Sequence, residues 1–145
     1  MRRRWTVVVV VIAGLAVSAC ARTPEEAVPH AEPVKIEPVS GTKLNSLTLT
    51  ARAVQRLAIE TTPIGRDGAR GEARKVIPYA AIVYDVRGNT FAYTNPAPLV
   101  FVRRRVEVDR INGERAVLSG GPAYGTPVVR VGAAELLGAE FGVGH

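Results

Sequence analysis

Residues 76–136 constrain the fold more than any other stretch. They begin VIPYAAIVYDVRGNTFAY, continue LVFVRRRVEVDRINGERAVLSGGP and close YGTPVVRVGAAEL. Short runs rich in β-branched and aromatic residues alternate there with Gly, Asn and Asp, the pattern of strands joined by tight turns. Asn112-Gly113 is a strong hairpin signal, and Gly88-Asn89 both tolerate left-handed backbone angles. The longest run, 99–109, alternates. Val102, Arg104, Val106 and Val108 share one face. Phe101, Arg103, Arg105, Glu107 and Asp109 share the other, which is mostly charged and is expected to face water. Asn95-Pro96-Ala97-Pro98 is expected to be a rigid kink before that strand. A last strand over 128–131 leads into a turn of helix over 133–137.

Upstream, 44–50 alternates Leu44, Leu47 and Leu49 with polar residues, a half-buried strand pattern from Leu47 onward. Thr50 can cap a short helix whose apolar side is Val54, Leu57 and Ala58. Strands are expected over 59–64, 72–77, 80–86, 90–94 and 115–118, with a Gly-rich loop over 65–71. The fold class is therefore mostly β: a small antiparallel β-barrel-like domain with one or two short helices, over 44–137, followed by a tail, 138–145.

The N-terminus has a different character. A basic head, Arg2 to Arg4, precedes the apolar run VVVVVIAGLAV and small residues, the tripartite layout of an export signal over 1–19. A retained transmembrane helix is the alternative, but the apolar stretch, about 17 residues with Ser18 inside it, is at the short limit for spanning. Cys20 is the chain's single cysteine, so no intrachain disulfide is possible. Val17-Ser18-Ala19-Cys20 resembles the lipobox of bacterial lipoproteins, with Val17 where that family prefers Leu. The resemblance implies a diacylglycerol on the Cys20 sulfur and cleavage before it. A free or buried thiol beside an ordinary cleavage site is the alternative. Two acyl chains anchor stably where one holds marginally. Residues 20–43 carry Pro24, Pro29, Pro33 and Pro38 with glutamates between them, which favours an extended, solvated tether. The expected location is the bacterial cell envelope, lipid-anchored on the outer face of the cytoplasmic membrane (its periplasmic side in a two-membrane cell).

Several function classes are weakened. The net charge of +6 falls to +3 once Arg2, Arg3 and Arg4 are removed with the signal, and both signs are mixed in the remainder. A nucleic-acid footprint wants a concentrated basic surface. His30 and His145 lie far apart without partners, so neither metal nor cofactor is expected. The glycines of 120–125 are followed by no Lys-Ser or Lys-Thr, so they are not a phosphate cradle. No combination of residues supports hydrolysis, and polar groups do not converge on a small-molecule pocket, so the chain is not read as an enzyme. Arg103 and Arg105 with Tyr124 are the candidate partner contacts. The plainer readings are that these arginines protect a solvated strand edge and that Tyr124 covers one end of the β domain. A contact of the arginines with acidic lipid is a further alternative.

The order of motifs resembles the membrane-proximal domain of the periplasmic adaptor family, the membrane fusion proteins that accompany RND and ABC exporters. Pro78-Tyr79-Ala80 with Ala81 matches that family's Pro-x-Ala start. Gly88-Asn89-Thr90-Phe91-Ala92-Tyr93 matches its hairpin, and Arg104-Arg105-Val106 is a looser Arg-x-Val strand. Gly125-Thr126-Pro127-Val128-Val129-Arg130-Val131-Gly132, with Leu136, matches its closing segment. Leu57-Ala58-Ile59-Glu60-Thr61 resembles the end of the domain's first strand. Full adaptors insert a β-barrel, a lipoyl domain and a helical hairpin between those two parts, where this chain has only residues 66–75. The resemblance implies a lipid-anchored accessory module that contacts an RND or ABC transporter subunit or envelope complex without forming a conduit. An orphan structural lipoprotein of the envelope is the alternative.

Overall fold

A computed structural model of the chain describes residues 32–68 and 73–142. The signal and Cys20 lie outside the described residues, as does half of the tether, residues 20–31. Among the described residues eleven strands, β1 (Val34–Pro38), β2 (Asn45–Leu49), β3 (Glu60–Pro63), β4 (Gly65–Asp67), β5 (Arg74–Pro78), β6 (Val83–Tyr84), β7 (Thr90–Ala97), β8 (Val100–Arg105), β9 (Glu107–Asn112), β10 (Arg115–Gly120) and β11 (Pro127–Val131), are joined by two helices, α1 (Ala51–Arg56) and α2 (Ala133–Glu140). One turn of 3-10 helix, Tyr79–Ala81, precedes β6. The first sheet has the order β1-β2-β8-β7-β11-β3, with β6 also on β7. The second has the order β4-β5-β10-β9. All the pairings are antiparallel. The architecture is mostly β with few helices, as the sequence implies, and the two sheets do not close into a barrel.

The centre of the first sheet is covered on both faces, so adjacent residues are buried in pairs. Ala92 and Tyr93 of β7, and Val128 and Val129 of β11, are all inaccessible. One face packs Tyr93 and Val129 with Leu47, Leu49 and Phe101 against Ala53 of α1 and Leu136 of α2. The other packs Ala92 and Val128 with Ile77, Ala116 and Leu118 of the second sheet. Burying an aliphatic or aromatic side chain stabilises the fold by roughly 1.5–3 kcal/mol.

Two chain segments pass from one sheet to the other at a single buried residue. Ile64 lies between β3 and β4, and Val106 between β8 and β9. At each corner the backbone leaves its ladder yet stays satisfied, as buried amides require. Ile64 N–H donates to Thr126 O, and Ile64 O accepts from Gly125 N, each at 2.9 Å. Val106 N–H donates to Thr90 O at 3.0 Å, and the Thr90 hydroxyl donates to Val106 O at 2.7 Å. The expected single strand over 99–109 is therefore two strands in different sheets.

Four further differences have physical causes. Part of the expected tether is β1, whose Val34 packs on the core while Pro38 is tolerated on an edge strand. The expected kink at Pro96 is a bulge within β7, and the turn itself is Pro98-Leu99. The expected strand over 80–86 begins in the 3-10 turn and keeps only two strand residues, β6. Helix α2 runs to Glu140, three residues past the expected end, because Glu140 is held from the sheet. Thr50, by contrast, caps α1 as expected, accepting from Ala53 N at 3.1 Å.

Candidate docking cleft

An open cleft of about 590 Å³ lies on the first sheet where the second stops covering it. Its lining combines Leu44, Pro96, Pro122 and Pro127 with Arg104 and Arg105. Both arginines are exposed at the end of β8, and neither has an acidic partner among the described residues. The polar groups at the cleft floor are already committed. The Thr94 hydroxyl donates to Val102 O at 3.0 Å, and the Asn95 amide donates to Ala97 O at 2.7 Å and Val100 O at 2.8 Å. A cationic, proline-lined, open surface suits an acidic protein surface better than a small ligand, which needs enclosure and convergent polar groups.

The three residues expected to meet a partner fall into different environments. Arg105 is exposed and lines the cleft. Arg103 is not a surface residue: its side chain is 12% exposed and forks onto Glu140 through Nε and Nη2, each at 3.0 Å. Its guanidinium also lies over Phe91, at 4.7 Å, and Phe141, at 5.2 Å from the ring centres. At Phe101 and Arg103 this face is thus covered by α2, which corrects the expectation of water there, while Arg105, Glu107 and Asp109 are exposed as expected. Tyr124 is half-buried beneath Arg66, whose guanidinium is 4.0 Å from the ring centre, and donates to Ala73 O at 2.8 Å. It braces the loop behind Pro122. Lys75 holds the same loop through Gly121 O at 2.7 Å.

The buried polar cluster is Tyr93, Arg103, Glu140 and Asn45. Tyr93 Oη donates to Glu140 Oε2 at 2.5 Å, and Asn45 Nδ2 donates to Oε1 at 3.4 Å. Burial and the Glu140 carboxylate push the Tyr93 phenol far above its ordinary range. Every member is paired, and among the described residues no buried side-chain N or O lacks a partner. The cluster is a latch between α2 and the sheet. Sequence reading missed it because Glu140 lay in the expected tail. Its signal was Phe101, an apolar residue on a face otherwise read as charged.

Among the described residues no group of three His, Cys, Asp or Glu side chains could hold a metal ion. Among them, too, no helix is long and apolar enough to cross a membrane. Comparison with protein-family models, curated proteins and solved structures gives no match.

Proposed function

We propose that this chain is a lipid-anchored accessory module, similar to the membrane-proximal part of a periplasmic adaptor, that docks on an RND or ABC transporter subunit or a neighbouring envelope protein. The observation that carries the reading is the cleft, with the free arginines Arg104 and Arg105 beside Pro96, Pro122 and Pro127. Charged rim groups steer association, while apolar contacts at the centre supply affinity. An anchor at Cys20 would raise the effective concentration of the cleft around membrane neighbours, so a weak interface would still be occupied. The sheet order also supports the adaptor likeness. β2 pairs with β8 and β3 with β11, so the upstream and downstream segments share one sheet. Adaptors carry their extra domains at the point where this chain has only β4, β5 and the residues between them.

The test is photocrosslinking in intact cells. A photoreactive residue replaces Arg105 or Pro122 in the cleft, or Arg56 on α1 as a control. Capture of an identified transporter subunit from 105 and 122 but not from 56 supports docking. The same adducts from all three positions, or none from the cleft while the protein is present at its normal level, would leave the orphan structural lipoprotein as the better reading.

A further inference from the structure

The β7–β8 hairpin ends in an exposed apolar tip, Ala97-Pro98-Leu99. Ala97 pairs with Val100, so Pro98 and Leu99 form a two-residue turn. Leu99 occupies the left-handed region, φ 64°. A side chain there is strained where glycine would not be, and Pro-Gly is the usual choice for such a turn. The tip is also braced. The Asn95 amide reaches across it to both Ala97 O and Val100 O. A strained leucine held outward on a braced turn is an outlier that calls for a function.

The position of the tip supplies one. Leu49 N–H donates to Leu99 O at 2.9 Å, and Thr50 N–H donates to Pro33 O at 3.1 Å. Val34 pairs with Leu49. The chain coming from Cys20 therefore joins the sheet two strands from Leu99, about 10 Å away at ordinary strand spacing. The 12 residues from Cys20 to Glu32 span at most about 40 Å when extended. Helix α1 starts at this end as well and exposes Arg52 on its first turn. The 85–89 loop, with the fully exposed Val86, lies at the other end of β7, beyond Thr90.

We infer that the Ala97–Leu99 tip is a membrane-interface wedge: it seats in the headgroup and upper acyl region of the bilayer that holds the anchor, with Arg52 beside anionic headgroups. The inference rests on the lipid anchor of the proposed function but not on any transporter. Apolar side chains at the interface gain by burial, and basic ones by attraction to anionic lipid. A second attachment beside the anchor would fix the domain's tilt and so aim the cleft.

The test uses the full-length acylated chain in vesicles of phosphatidylcholine and phosphatidylglycerol, with no other protein present. Acylation of Cys20 leaves an engineered cysteine as the only free thiol. A nitroxide is placed in separate variants by Ala97→Cys, Leu99→Cys and Val86→Cys. The expected result is loss of collision with a water-soluble nickel chelate at 97 and 99, with gain of collision with oxygen, while 86 remains aqueous. Adding Leu99→Asp should return the label at 97 to water. Labels at 97 and 99 as aqueous as the label at 86, on a chain that floats with the vesicles, would overturn the wedge and leave the anchor standing. A chain that does not float removes the anchor and the wedge together.

Discussion

Tyr93, in the centre of β7, donates its hydroxyl hydrogen to Glu140 Oε2 at 2.5 Å and so joins residues 47 positions apart. Glu140 also accepts the forked guanidinium of Arg103, and its own side chain is only 1% exposed. Removing one partner of a buried pair leaves the other charge uncompensated, which typically costs about 3–5 kcal/mol. Glu140→Gln should therefore lower the urea midpoint sharply. Replacing both, Arg103→Met with Glu140→Leu, should lose much less, because neither charge remains buried. Equal losses in the two variants would show that the latch acts through packing alone.

The same hydrogen bond gives a pH dependence. Burial first, and then the Glu140 carboxylate, raise the Tyr93 phenol above its ordinary value near 10. A raised acid stays protonated in the fold while it ionises in the unfolded chain. Its contribution is fully present below about pH 10 and is lost as pH climbs toward the folded value. In a spectrophotometric titration the last tyrosine to ionise should do so only as the fold is lost. Tyr93→Phe should abolish that last step. A chain in which all four tyrosines ionise in the folded state would contradict the assignment.

What the sequence conveyed and what it withheld separate cleanly by cause. Local rules found β2 from the alternation of Leu47 and Leu49, α1 from its Thr50 cap, and the β9–β10 hairpin, although its turn residues are Gly113-Glu114 rather than Asn112-Gly113. Features created by distant partners were not legible. β1 exists because β2 offers a ladder to a Pro- and Glu-rich segment. The corner at Val106 exists because β9 finds β10 while β8 stays with β7. Arg103 looked solvated because alternation reports which residues share a face, not what covers that face. The cleft is assembled from five separate stretches, and of the three residues expected to meet a partner only Arg105 lines it.

Helix α1 ends in a two-bond turn closed by a strained residue. Ile59 N–H donates to Val54 O and Ala58 N–H to Gln55 O, each at 3.1 Å, with Ala58 at φ 48°. Glycine is the usual residue there because it avoids the Cβ penalty of left-handed backbone. Ala58 is exposed and makes no core contact that glycine would forfeit. Ala58→Gly should raise stability by up to about 1 kcal/mol, after the entropy glycine adds to the unfolded chain. Chemical denaturation of the two proteins side by side tests this, and a lower midpoint for the variant would refute it.

The loop before β7 is held by one carboxylate. Asp85 Oδ1 accepts from Arg87 N at 2.9 Å and Asn89 N at 2.8 Å, and Oδ2 accepts from the Asn89 amide at 2.7 Å. The Asn89 side chain, then its backbone N–H and that of Arg87, hold the Asp85 carboxyl below the ordinary carboxylate range. A depressed acid contributes above its unfolded pKa, and that contribution is lost as pH falls through the folded one. The loop should therefore stay ordered at pH 4 and loosen only below it, while the buried core persists. Amide exchange at Arg87 and Asn89 reports this directly. Protection that vanishes already between pH 6 and 5 would contradict it, and Asp85→Asn should remove the pH dependence altogether.

A tight packing constraint falls at Gly132, which starts α2 at φ 86°. A Cβ there would lie 2.9 Å from Ile59 Cδ1 and 3.3 Å from Leu57 O, at the end of α1. The side chain of Ile59 could move aside, but the carbonyl of Leu57 is fixed by the turn that closes α1. Gly132→Ala thus meets both a left-handed backbone and a close approach between the two helix termini. Strain of this kind costs about 1–3 kcal/mol. The loss should appear as faster amide exchange in α2 ahead of the sheet, since Leu136 and Glu140 hang from that turn. In the double variant with Ile59→Val, which shortens the nearer obstacle, part of the loss should return. No recovery would place the whole cost in the backbone angle.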